Sequence, residues 1–373
     1  MIPYGRQSLG DDDIAAVLDA LRSPYLTQGP LVEQFEQTLA DYCGARYAVA
    51  VSNGTAALHA AYAAAGLGQG DEFITSPMTF AATANAGLWQ GATPVFVDVL
   101  PVTGNIDPSR IEAAITSKTK LIAPIDYTGR PVDLGTIMGI AKRRNLVVVE
   151  DAAQALGASY KGRKIGSIAD LTTLSFHPVK SITTGEGGAI LTNNESYYRF
   201  LKKFVTHGMT KTELIHPSPG PWYMEMHLLG QNYRLTDIQS ALGLVQMKKL
   251  DRFLEKRRAI VARYGEAFRG NAGFMTPASD AESAWHLYVI RLADALVPRR
   301  SAIFQALRDA GIGVQVHHIP VHTHPYYRQH GFADVSYPIS EDLYARSISL
   351  PLYPDLSKED QSHVIDVVRS IVV

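Results

Sequence analysis

Strand-length apolar runs alternate with helical segments through the first two thirds of the chain, and that alternation confines the fold to βα units around a largely parallel sheet. The fold class is therefore α/β. Residues 47–52 read as a buried strand, and the Ala-rich stretch 55–65 after Gly54 reads as a helix by propensity. Residues 73–75, 94–97, 121–125 and 146–150 repeat the strand signal, with helical segments near 81–88, 108–115 and 134–143 between them. Two further strands, 171–176 and 189–192, flank a glycine-rich turn at 185–188.

The pattern changes after Leu235. Ile238, Leu242 and Val245 recur at helical spacing, and the charged stretch 248–258 continues that helix. A chain of 373 residues exceeds what one core usually supports. We expect a large domain over 1–245 and a smaller α+β domain over 246–373. In the second, 286–292 and 347–352 read as strands and 300–310 as a helix. The last helix has Ser357 as N-cap and Val364, Val367, Val368 and Ile371 on its inner side. Residues 215–231, with three prolines and two glycines, read as a surface loop.

Charge and cysteine usage narrow the class of partner. With 35 Lys+Arg against 36 Asp+Glu and no block of like charge, the chain has no electrostatic footprint for nucleic acid. Its single cysteine, Cys43, forms neither an intrachain disulfide nor a thiolate cage, which fits a reducing, cytoplasmic compartment. No stretch reaches the run of about 18 apolar residues that a membrane span needs, and Met1 to Arg6 has no signal-peptide character, so no membrane association is expected.

The segment 175–188, Ser-Phe-His-Pro-Val-Lys-Ser-Ile-Thr-Thr-Gly-Glu-Gly-Gly, carries the most chemistry. It sets Lys180 in a hydroxyl- and glycine-rich turn directly after a buried strand. An amine near an apolar wall has its charged form disfavoured, and a free amine is what a Schiff base with an aldehyde cofactor requires. A solvated loop lysine is the alternative. Asp151 ends the strand signal of 146–150, at the sheet edge where α/β folds bind ligands. It serves either as a helix cap or, paired with Lys180, as the carboxylate that keeps a pyridine nitrogen protonated. Ser52-Asn53-Gly54-Thr55-Ala56, between strand and helix, has the form of a phosphate cradle or of an ordinary capped turn. The turn lacks both G-x-x-x-x-G-K-[ST] and G-x-G-x-x-G, which argues against a nucleoside triphosphatase or a dinucleotide enzyme. His317, His318, His322 and His324 crowd together, but adjacent histidines diverge on a strand and no H-E-x-x-H is present, so no metal is expected.

Taken together and in order, these segments resemble the DegT/DnrJ/EryC1/StrS family of sugar aminotransferases. The likeness extends to Leu26-Thr27-Gln28-Gly29-Pro30, Glu150-Asp151-Ala152-Ala153-Gln154, Thr206-His207-Gly208-Met209 and the run from Gln231 to Gly243. It implies the fold of type I pyridoxal-phosphate enzymes, and pyridoxal 5′-phosphate as cofactor. Lys180 would form the Schiff base, Asp151 would pair with the pyridine nitrogen, and Gln154 would lie near the phenolic oxygen. Gly54, Thr55 and Ser175 would hold the phosphate, Phe80 would cover the ring, and Asn232 would reach the phosphate of a neighbouring subunit in an obligatory homodimer. Tyr4, Tyr25, Leu26, Thr27, His317 and His318 match positions lining the sugar-nucleotide pocket. Phe-His-Pro-Val-Lys, residues 126–132 and residues 315–320 resemble the branch that aminates C4 of a UDP-linked 4-keto-6-deoxy-N-acetyl hexose, from L-glutamate, on the way to pseudaminic acid. Branches acting on UDP-pentosyl or on dTDP- and GDP-hexosyl ketones share the lysine turn. Relatives that dehydrate deoxysugars have histidine in place of the lysine, and a non-catalytic regulatory subunit would have a broken constellation; here Lys180, Asp151, Gln154 and Thr55 are intact.

Overall fold

The computed structural model describes residues 1–372. Its centre is a seven-stranded sheet built from β1 (Tyr47–Val51), β2 (Glu72–Thr75), β3 (Thr93–Phe96), β4 (Thr119–Ile122), β5 (Val147–Asp151), β8 (Leu171–Ser175) and β9 (Gly188–Thr192). The order is β1-β9-β8-β5-β4-β2-β3. A short hairpin, β6 (Ser159–Tyr160) with β7 (Arg163–Lys164), lies between β5 and β8 in sequence. Pairings are parallel except that β9 runs against both β1 and β8. The carboxyl ends of β1, β5 and β8 therefore share one edge, the ligand-binding edge of such sheets.

Both faces are covered, which is why the strands read as unbroken apolar runs. Val49, Val51, Phe73, Leu121, Val149 and Ile190 pack with the Ala-rich helix Gly54–Ala64 on one side. Ala50, Ile74, Ile122, Val148, Leu174 and Leu191 pack on the other, with Phe35 and Leu39 of the helix Pro30–Cys43. That helix and the preceding Asp11–Arg22 escaped the periodicity reading; both pack on the long helix Asp237–Ala267. The expected helix at 108–115 is a 3₁₀ turn, Pro108–Arg110, followed by one α-turn, Ile111–Ala114. The loop expected at 215–231 is closed at its base by β10 (Met209–Thr210) and β11 (Glu225–Met226). The Glu225 carboxylate ties it together, accepting from Ile215 N, His216 N and Tyr223 Oη.

The second core gathers around an antiparallel sheet of β12 (Phe274–Met275), β13 (Tyr288–Leu292) and β14 (Ser347–Leu350). The expected 245/246 division falls inside the 31-residue helix Asp237–Ala267. Its Met247, Leu250 and Leu254 belong to the large core and its Ile260 and Tyr264 to the small one, so the cores change over between Leu254 and Ile260. Sequence order and domain membership part company elsewhere too. Ile2 pairs with Ile312 beside the small sheet, while Val321 and Tyr327 pack on Phe96 of the large one. On the long helix, the inward residues are Asp237, Ser240, Ala241 and Gly243, whereas Ile238, Leu242 and Val245 are only half-buried. Close packing demands the small side chains there: a Cβ on Gly243 would lie 2.7 Å from the Phe35 ring.

Candidate active site

Three strand ends assemble the site. After β1, Asn53 caps the helix Gly54–Ala64 by accepting from Ala56 N at 2.8 Å. The first two amides of that helix, on Gly54 and Thr55, have no intrahelical acceptor and are free for an anion. Ser175, at the end of β8, sits directly against this turn: a Cβ on Gly54 would lie 2.9 Å from Ser175 Cβ. Ser52 N donates to Tyr233 O at 2.8 Å, bringing the 232–234 segment to the same turn. Gly54, Thr55 and Ser175 thus form one cradle, while Asn232 beside it is exposed.

Asp151 ends β5, next to β8 in the sheet. It is buried, and its carboxylate accepts from Thr83 Oγ1 at 2.7 Å and from Ala153 N at 3.1 Å. Burial pushes its pKa up; the two hydrogen bonds and the charge of Lys180 oppose that. Lys180 lies in the turn after β8, its backbone N–H donating to His177 O at 2.9 Å. Burial brings the Lys180 ammonium down to about 8, with Asp151 opposing the shift. A free amine is therefore available near neutral pH, as the Schiff-base reading of the turn requires. Thr83 was not singled out from the sequence. Its signal is the pair Thr79 and Thr83, one helical turn apart after β2, whose hydroxyls bond at 2.7 Å.

Three buried or half-buried histidines, His286, His317 and His318, face Lys180. Burial first, then nearby positive charge (Lys180 beside His286 and His317; His317 and then Lys180 beside His318), depresses all three, His317 to about 4, so the imidazoles are neutral. His317 Nδ1 bonds Ser349 Oγ at 2.8 Å, and His318 Nε2 lies 3.3 Å from Gln154 Nε2. The peptide bond between His317 and His318 is cis. Gln154 Oε1 accepts from Thr128 N at 2.7 Å, and Tyr127 Oη donates to His317 O at 2.6 Å. The 126–132 segment is thus the bracket between large sheet and histidine wall. Gly129 makes this bracket possible: its φ is +92°, and a Cβ would meet Gln154 O at 2.7 Å. His322, expected near these histidines, instead bonds Glu341 at 3.0 Å and packs on Tyr337.

The remaining predicted residues lie at the rim. The Tyr4 ring is 5.3 Å from that of His317, and the Phe80 ring is 6.1 Å from that of His318. Phe80 is 65 % exposed, and Tyr25 and Leu26 are also exposed. Thr27 pairs with Thr236 at the start of the long helix.

On the opposite face of β5 a second acidic pair is fully buried. Glu150 Oε2 accepts from Thr172 Oγ1 at 2.8 Å and Asp126 Oδ1 from Val132 N at 2.9 Å, whereas Glu150 Oε1 and Asp126 Oδ2 have no partner. One proton shared between them would satisfy both remaining oxygens. Burial, then repulsion from Glu150, raises Asp126 well above the carboxylate range, and burial takes Glu150 to about 7. Because the folded pKa is raised, the linked stability is complete below the unfolded value of about 4.3 and is lost as pH rises to the folded one. Glu150→Gln supplies the Asp126 bond without that proton. Thermal unfolding is expected to show the variant gaining on the wild type between pH 5 and pH 8, by on the order of 2 kcal/mol. A gap that stays constant with pH would remove the shared proton.

A buried carboxylate at 151, a lysine of lowered pKa and a free-amide cradle fit pyridoxal 5′-phosphate: a cationic ring nitrogen, an aldehyde and a phosphate answer one group each. The fold and site define a pyridoxal-phosphate-dependent aminotransferase of fold type I, and the comparisons agree. Residues 7–369 match the DegT/DnrJ/EryC1/StrS aminotransferase family. The chain belongs to that family. It is 43 % identical to the spore coat polysaccharide biosynthesis protein SpsC of Bacillus subtilis, over all of this chain and 97 % of that one. It is 38 % identical to a UDP-4-amino-4,6-dideoxy-N-acetyl-beta-L-altrosamine transaminase of Campylobacter jejuni, over all of this chain and 98 % of that one. Among solved structures, Helicobacter pylori PseC, an aminotransferase involved in pseudoaminic acid biosynthesis, superimposes with a TM-score of 0.95 at 34 % identity, covering 100 % of this chain and 99 % of that one. No helix among the described residues is long and apolar enough to cross a membrane.

Proposed function

We propose that the protein transfers the amino group of L-glutamate to C4 of a UDP-linked 4-keto-6-deoxy-N-acetyl hexose. The observation that carries the chemistry is the juxtaposition of Lys180 and Asp151 at neighbouring strand ends. The similarity to the Campylobacter transaminase and to PseC supports the substrate. The higher identity to SpsC keeps a second reading open, amination of another nucleotide-linked ketosugar, UDP-pentosyl or dTDP- or GDP-hexosyl. A dehydratase or a regulatory subunit is disfavoured by Lys180 and its intact surroundings.

Pyridoxal phosphate, when bound, supplies an aldehyde that condenses with amines and a ring that withdraws electrons from the neighbouring carbon. Lys180 Nζ would hold the cofactor covalently and, as a free amine, would move a proton from the donor's α-carbon to the cofactor and later from the cofactor to the sugar's C4. The Asp151 carboxylate, hydrogen-bonded by Thr83 and Ala153, would hold a proton on the ring nitrogen. Gly54, Thr55 and Ser175 would hold the phosphate, Gln154 would lie near the phenolic oxygen, and Phe80 would cover the ring. The neutral imidazoles of His317 and His318, with Tyr4, Tyr25, Leu26 and Thr27, line the pocket for the sugar nucleotide.

The working unit in this reading is a homodimer in which Asn232 reaches the partner's phosphate. Its exposure supports that, as do the half-buried Ile238, Leu242 and Val245 and the exposed Trp89 and Trp222. A cytoplasmic setting is supported by the single, buried thiol of Cys43. The test offers UDP-, dTDP- and GDP-linked 4-ketosugars with glutamate and identifies the aminated product by mass and NMR. Amination of the UDP-N-acetyl 4-keto sugar is expected. Failure there with success on another ketosugar moves the protein to a sister branch.

A further inference from the structure

Asp237 is the first residue of the long helix, yet Thr236 caps that helix and the Asp237 carboxylate is used elsewhere. Its Oδ2 accepts from Gly29 N at 2.7 Å and its Oδ1 from Leu31 N at 3.1 Å, across more than two hundred residues of sequence. The Asp237 backbone N–H donates to Leu26 O at 3.0 Å, and Thr27 pairs with Thr236. The turn is wrapped tightly on the carboxylate: a Cβ on Gly29 would lie 2.6 Å from Asp237 Oδ1 and 2.5 Å from Tyr25 Cβ. Asp237 is 0 % exposed, whereas Tyr25 and Leu26 stand about half exposed.

A buried carboxylate is costly, and a neutral side chain caps a helix about as well. Here the charge meets the amides that open the helix Pro30–Cys43, whose dipole favours it, and both oxygens are engaged. Fixing Gly29 and Leu31 fixes the end of the Tyr25-to-Thr27 segment, and the contacts of Leu26 and Thr27 fix its middle. We propose that Asp237 is a positioning residue for the nucleotide-sugar pocket, holding Tyr25, Leu26 and Thr27 in binding geometry without touching substrate. The inference rests on the reading that those three residues line the pocket.

Asp237→Asn in the holoenzyme tests it. The amide keeps one acceptor, so one of the two backbone donors loses its partner. The KM for the nucleotide ketosugar is expected to rise about tenfold. UDP affinity by calorimetry should fall by the same factor, while the glutamate half-reaction, followed spectroscopically without sugar, keeps its rate. Gly29→Ala crowds the same turn with the charge in place and should move the same two quantities; it decides the matter if Asp237→Asn does not fold. Equal slowing of both half-reactions, or an unchanged KM, overturns the inference. Thr27→Ala separates the layers: if it leaves the sugar KM unchanged, the pocket reading fails, and if it raises KM while Asp237→Asn does not, only the positioning role fails.

Discussion

Lys180→Ala is expected to lower amination by at least about 10⁴-fold, because it removes both the covalent tether and the proton carrier. Lys180 is the lysine whose charge acts on Asp151, and the neighbouring imidazoles of His286, His317 and His318 have no primary amine with which to form a Schiff base. Borohydride reduction of the loaded wild-type protein should fix the cofactor's mass on the peptide containing Lys180, and Lys180→Ala should lose the visible absorbance of the linkage. Recovery of the label on a different lysine would overturn the role given to this residue.

Asp151→Asn is the second large effect, expected to cost about 10³-fold in turnover while leaving cofactor bound. The substitution is nearly isosteric, so an acceptor for Thr83 or Ala153 survives, and Lys180 and the phosphate cradle are untouched. What disappears is the negative charge that holds a proton on the ring nitrogen. The burial that raises the Asp151 pKa also makes that charge strong, since little water screens it. Cofactor content measured after dialysis, alongside single-turnover rates with glutamate, separates the two contributions. Loss of cofactor in proportion to activity would mean that Asp151 anchors rather than activates.

Much of the large domain was legible because buried strands are apolar on both faces, so Ala48 to Val51 and Val147 to Val149 stand out without any alignment. The lysine turn was legible for a similar reason: polar and glycine residues packed directly after such a strand have little structural purpose. The first two helices went unread although both carry helical spacing: Ile14, Leu18 and Leu21 form a stripe on Asp11–Arg22 that the fold leaves exposed, and Phe35, Leu39 and Cys43 form one on Pro30–Cys43 that it buries. The long helix misled at its start. Over its first turns the core face is made of Asp237, Ser240, Ala241 and Gly243, small or polar residues selected by close approach, while Ile238, Leu242 and Val245 point half outward; apolar residues take over the core face only from Met247 onward.

Residue types and their order by themselves determined the α/β class and marked Lys180, Asp151 and the turn at 54–55 as strand-end candidates; the roles assigned to them came from the resemblance to a family. Only the tertiary structure decided that Thr83 steadies Asp151, that Glu150 and Asp126 share a buried face, that His286 joins His317 and His318, and that Asp237 grips the turn at Gly29. These are contacts between segments tens to hundreds of residues apart. Their partners are chosen by how the sheet brings chain ends to a common edge, and no periodicity within a segment records that.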